Sequence, residues 1–139
     1  MTSRELVAPR VLAVGTASIA TATTVNVDFG TPDDVLVAVG ANFKQGDRLV
    51  CVITASTAGT TDSTSFSIQD APDSAGSIGT PATAVTTTLP AAATGNQYVV
   101  AGIQLQPGRP WIRVRATRAS GTTDTLVVRA VLLAIPHNL

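Results

Sequence analysis

Hydrophobic and polar positions alternate with a period of two along most of this chain, and no stretch repeats at helical spacing. Side chains on a strand point alternately to its two faces, so this pattern predicts strands. Near the C-terminus Ile112, Val114 and Ala116 share one face, while Trp111, Arg113, Arg115 and Thr117 share the other. A Gly-containing break at 120–124 leads into a second run over 125–135, and the two runs are expected to pair as a terminal hairpin. Eight strands are predicted in all: 10–14, 23–29, 34–40, 47–55, 64–69, 97–105, 111–118 and 123–135, with Gly, Pro, Asn or Asp in most gaps. Both faces of 47–55 are apolar, which predicts a central strand; Phe66 and Ile68 face one side of the fifth strand, with Ser65, Ser67 and Gln69 facing out. The polar breaks at 30–34 and 45–47 predict hairpins, because Gly supplies positive φ and Asp bonds its own backbone. The segment from Ala71 to Asn96 is rich in Ala, Thr, Ser, Gly and Pro, and reads as an extended surface excursion with at most a short edge strand near Val85.

Eight antiparallel strands with one long crossing connection fit an all-β, single-domain jelly roll, a form of β-sandwich. Residues 1–10 read as an extended N-terminal arm and 11–139 as the jelly-roll domain. An immunoglobulin-like sandwich is the competing fold. A single cysteine and a Trp placed late in the chain weaken it, since that fold carries its Trp on an early strand. At 139 residues the chain buries roughly 68% of its unfolded surface, enough for a core that needs neither disulfide nor metal.

Composition changes the picture through how little charge there is. Only 13% of residues are charged, against roughly 25% for ordinary soluble domains, while Thr and Ala each occur 21 times. A surface of hydroxyls and methyls suggests that partners cover part of it. Net charge is zero but uneven: residues 109–139 hold five Arg against Asp124 alone. Such a basic patch can attract a phosphate backbone. Tyr98 and Trp111 are, however, the only aromatics besides Phe, too few for a base-stacking platform, so no direct contact with nucleic acid is expected. No apolar run approaches the eighteen or so residues that span a bilayer, and Glu5 sits where a signal peptide carries only positive charge. The expectation is synthesis in the cytoplasm with no membrane association.

Candidate chemistry is sparse. Cys51 lies in the apolar run 49–53 and reads as packing. His137 stands in the C-terminal tail, away from the pocket and orienting partner that a general base requires. Asp28, Asp33 and Asp34 cluster at one turn, and Asp70 and Asp73 flank Pro72, but the spacing matches no calcium loop. No nucleophile elbow, phosphate loop or His/Cys metal spacing occurs. No enzymatic activity, cofactor or metal is therefore expected.

The succession Thr24-Val-Asn-Val-Asp-Phe-Gly30, Val35-Leu-Val-Ala-Val39, Leu49-Val-Cys-Val-Ile-Thr-Ala-Ser56 with Ser65-Phe-Ser67, and Trp111-Ile-Arg-Val-Arg-Ala-Thr117 resembles the small jelly-roll cement, or decoration, proteins of tailed-phage capsids. The resemblance covers about residues 10–135, and departs from that picture in the longer 71–96 segment and the Arg-bearing arm. It implies a structural virion protein on the outer head surface, bridging major capsid protein subunits as a small homo-oligomer, a trimer first and a dimer second. Contacts are then expected from Arg4 and Arg10 on the arm, from Arg48, and from Trp111, Arg113 and Arg115, the last two meeting acidic capsid residues or a neighbouring subunit, or standing solvated. The competing function is a carbohydrate- or receptor-binding sandwich of a virion surface or tail, using Trp111.

Overall fold

The computed structural model describes residues 10–20, 22–31, 36–37, 47–60, 63–89, 92–104, 106–119 and 125–135. The predicted alternation becomes two antiparallel sheets packed face to face. The front sheet has the order β1 (Arg10–Ile19), β11 (Leu126–Ile135), β4 (Arg48–Thr60), β9 (Ala92–Gln104). The back sheet has the order β2 (Thr24–Asn26), β10 (Trp111–Arg118), β5 (Thr64–Ala71), β8 (Ala82–Leu89), with β3 (Leu36–Val37) also pairing with β10. A separate small hairpin joins β6 (Asp73–Ser74) to β7 (Ser77–Ile78). Among the described residues every strand pairing is antiparallel.

The inward positions are those the alternation singled out. Leu49, Cys51, Ile53 and Ala55 of β4 meet Phe66 and Ile68 of β5 and Ile112, Val114 and Ala116 of β10 in one buried cluster, which β11 completes with Leu126, Val128, Ala130, Leu132 and Ala134. Phe66 is the single buried aromatic among the described residues, so the space between the sheets is filled mainly by aliphatic side chains. The strand predicted to be central, β4, does lie between β11 and β9.

Three expectations are corrected. The C-terminal runs do not form a hairpin: β10 belongs to the back sheet and β11 to the front. Alternation is the same whether a strand pairs with its sequence neighbour or faces it across a core, so the pattern could not choose. The breaks at 30–34 and 45–47 do not make hairpins either. β2 and β3 both pair with β10, and β4 lies in the other sheet from β3. The Ala71–Asn96 segment is mostly strand and not a surface excursion: it holds β6, β7, the start of β9 and the whole of β8, which is an edge strand at the place expected near Val85. Its threonines suit an edge strand with one face in water, a β-branched residue fitting the pleat and its hydroxyl the solvent.

Two long ribbons pass from sheet to sheet. Pairing of β4 with β9 runs to Thr60 opposite Ala92, and pairing of β5 with β8 begins at Thr64 opposite Leu89. Likewise β1 with β11 runs to Ile19 opposite Leu126, and β2 with β10 begins at Thr24 opposite Thr117.

Candidate interaction surfaces

The two outer faces of the sandwich differ in chemistry. On the back sheet the outward positions form cross-strand rows of hydroxyls and amides: Thr24, Thr117, Ser65 and Thr88 in one, Asn26, Arg115, Ser67 and Thr86 in the next. Their side chains bond along these rows. Thr24 and Thr117 share a hydrogen bond of 3.1 Å, and the Ser65 hydroxyl donates to the Thr117 carbonyl at 3.4 Å. Arg113 donates through Nε to Gln69 Oε1 at 2.5 Å, and Gln69 Nε2 donates to Thr83 Oγ1 at 3.0 Å. Partial burial, and then the like charge of Arg115 on the same face, push the Arg113 guanidinium down from its ordinary value. At the end of this face Trp111 donates through its indole Nε1 to Asp73 Oδ1 at 3.1 Å. Arg109 closes the same corner through a 2.6 Å ion pair with Asp70 and a 2.9 Å bond to the Asp70 carbonyl.

The front sheet turns an aliphatic face outward. Val14, Val131, Val52 and Val100 are register partners across all four strands, so four valines form one continuous row. The adjacent row is Val11, Leu133, Val50 and Gly102, and an irregularity between Val11 and Ala13 leaves Leu12 exposed beside it. On the other side runs Thr16, Arg129, Thr54 and Tyr98. Exposure there is high for such residues: Val11 61%, Val100 52%, Val127 57% and Tyr98 73%. Scattered apolar residues are ordinary on a surface, whereas a contiguous apolar face marks an interaction site. A depression of about 490 Å³ interrupts this face where Thr54, Tyr98, Val127 and Arg129 converge.

The residues expected to make contacts are divided between these faces. Trp111, Arg113 and Arg115 share the back face; Arg48 is exposed on the front, opposite Ile135 and Gln104 in register. Arg10 opens β1 opposite Ala134, and Arg4 lies outside the described residues, as does His137. Trp111 is half-buried and held by Asp73. Of the acidic residues that the sequence singled out, Asp33 and Asp34 lie outside the described residues, and the others are engaged in turns and bridges. Asp28 accepts from the Gly30 amide at 2.7 Å, Asp70 holds Arg109, and Asp73 accepts from Trp111 and, at 3.4 Å, from the Gly76 amide. Among the described residues no three potential metal ligands come together, and no helix is long and apolar enough to cross a membrane. Cys51 is fully buried, and burial pushes its thiol up to about 12.

Sequence reasoning missed the front face. The signal was present in the apolar outward positions of 47–55 and 125–135, but it was spent on predicting where a strand sits within its sheet. A strand apolar on both faces is central in a sheet, or covered from outside, or both.

Fold and surfaces define the class: an antiparallel β-sandwich with one hydroxyl-rich and one aliphatic outer face. The chain matches no protein-family model and no curated protein.

Proposed function

We propose that this protein is a capsid cement, or decoration, protein of a tailed phage, bound to the outer surface of the head and bridging major capsid protein subunits. The observation that carries the reading is the strand order, taken with the sequence resemblance. Counting only the eight strands on the main paths of the two sheets, in chain order, the front sheet reads 1-8-3-6 and the back sheet 2-7-4-5. Two antiparallel ribbons folded over one another in this way make a jelly roll, and the order supports that finer reading over an immunoglobulin-like arrangement. The charge-poor, partly aliphatic exterior supports a molecule that works while covered.

The mechanism is stabilisation by linkage. A protein that binds only the assembled, expanded lattice shifts the equilibrium towards it, and does so without chemistry. Repetition over the shell supplies avidity, raising effective affinity by roughly 10² to 10⁴ where one contact alone is weak. A small homo-oligomer at a symmetry axis of the lattice, a trimer first and a dimer second, suits such bridging.

The test is co-sedimentation of the purified protein with expanded heads that lack it, followed by imaging. Saturable occupancy at fixed lattice positions, with a raised melting temperature of the shell, is expected. Failure to bind any form of the shell, together with glycan-array retention that Trp111→Ala abolishes, would replace this reading with the carbohydrate-binding one.

A further inference from the structure

We infer that the outer face of the front sheet is the surface by which the molecule docks, and that its partner is a protein surface with an aliphatic centre and carboxylates placed to meet Arg129 and Arg48. The inference rests on the cement reading, and names the face that meets the shell.

Three observations lead there. The first is apolarity in register: the row Val14, Val131, Val52 and Val100 lies beside the row Val11, Leu133 and Val50, with Leu12, Val127 and Ile135 around them. Water leaves such a face at a gain of roughly 25 cal/mol per Å² of apolar surface, and nothing within the described chain covers it. The second is area. Four strands about 4.8 Å apart, over about nine residues of about 3.3 Å each, give a flat footprint of roughly 570 Å², which the relief of the side chains raises towards the ~800 Å² per partner of a stable interface.

The third observation is charge, and it chooses the occupant. The front strands contain Arg10, Arg48 and Arg129 and not one Asp or Glu. Arg48 and Arg129 are exposed on the outward face, and neither forms an ion pair with a described residue. A second copy laid on this face would bring arginines towards arginines with no carboxylate between them. An acidic partner supplies the missing counter-charges, and a guanidinium fork meets a carboxylate with two parallel hydrogen bonds. The back face lacks the first property: its outward rows are Thr, Ser, Asn and Gln with Arg113 and Arg115 among them, and Thr24–Thr117, Arg113–Gln69 and Gln69–Thr83 bond along these rows, which makes a polar surface suited to water.

Expanded shells lacking the protein are the probe. Val14 and Val100 are 43% and 52% exposed, so their substitution leaves the core intact, and an unchanged melting temperature of each variant confirms it. The double variant Val14→Glu/Val100→Glu should bind roughly a hundredfold more weakly or worse, because it sets desolvated carboxylates against an acidic partner. Val14→Lys/Val100→Lys should retain more binding than the Glu pair. Arg129→Glu should weaken binding about tenfold or more, and Ser67→Glu on the back face should change nothing. Equal binding by the Glu pair and the wild type would overturn the inference and leave the cement reading standing. Loss with Ser67→Glu but not with the Glu pair would move the docking surface to the back sheet. A wild-type dimer in sedimentation velocity that the Glu pair dissociates would hand the face to a second copy. Wild-type protein that binds no shell would remove both readings together.

Discussion

Arg118 sits where a hydrophobic residue would be expected, and the reason is parity. It follows Ile112, Val114 and Ala116 at intervals of two, so the pleat of β10 turns it inward, and it is 2% exposed. Its Nη1 donates to the carbonyl of Ile19 at 2.9 Å, tying the end of β10 in the back sheet to the end of β1 in the front. Arg118→Met should lower stability by about 2–4 kcal/mol in urea unfolding, since it leaves that carbonyl without its donor and repacks the site imperfectly. Arg118→Lys should restore only part, because a point charge does not replace the planar fork. The inward position was legible in the alternation; the partner, 99 residues away, was not. Cys51 gives a pH signature. Burial raises its thiol from 9.0 to about 12, so the folded state keeps the proton after the unfolded chain has released it. The stabilisation is fully present below about pH 9 and is lost as pH rises towards 12. Between those values the wild type should lose about 1.4 kcal/mol per pH unit more than Cys51→Ala does, measured as the difference between their unfolding free energies.

Among the strands, β1 and β2 show how close approach is encoded. Gly15 is inward and buried, and a Cβ there would stand 2.7 Å from the Asp28 carbonyl oxygen, the Phe29 ring and the Val27 side chain. The neighbouring Thr16 and Asp28 exchange backbone hydrogen bonds of 3.1 and 2.9 Å, which glycine at position 15 allows. Gly15→Ala should therefore cost about 1–3 kcal/mol by overpacking, seen as a melting temperature lower by roughly 4–10 °C. In the sequence this glycine looked only like an interruption of an apolar run. The small β6–β7 hairpin shows the same limit: Ala75 and Gly76 both have positive φ, 52° and 84°, which is the backbone a two-residue hairpin turn requires. Nothing in a stretch of small residues announced it. For β4, β5, β9 and β10 the periodicity placed a strand correctly, because their inward side chains include large apolar residues such as Ile53, Phe66, Ile103 and Ile112 and their partners do not alter the pattern. β8 was nearly invisible, since Val85 and Leu89 are the only large apolar residues on it.

For the molecule entire, the decisive property is the contrast between its two outer faces, one polar and rich in hydroxyls and the other a field of aliphatic side chains built around a row of four valines. On the docking inference, one side stays compatible with water and the other meets a partner, and the binding experiments on expanded shells address that division directly. The positions and inward faces of the strands with large apolar side chains, a central β4, an all-β architecture and the absence of helical periodicity follow from the sequence, because they depend on local geometry: two residues per pleat, and glycine or proline where the chain must turn. Which strand pairs with which does not follow. Pairing is chosen among alternatives with the same alternation, by long-range packing between residues that can be a hundred positions apart, and so the folded ribbons, the separation of β10 from β11 and the assembly of valines from four distant strands into one face were decided by the tertiary structure alone.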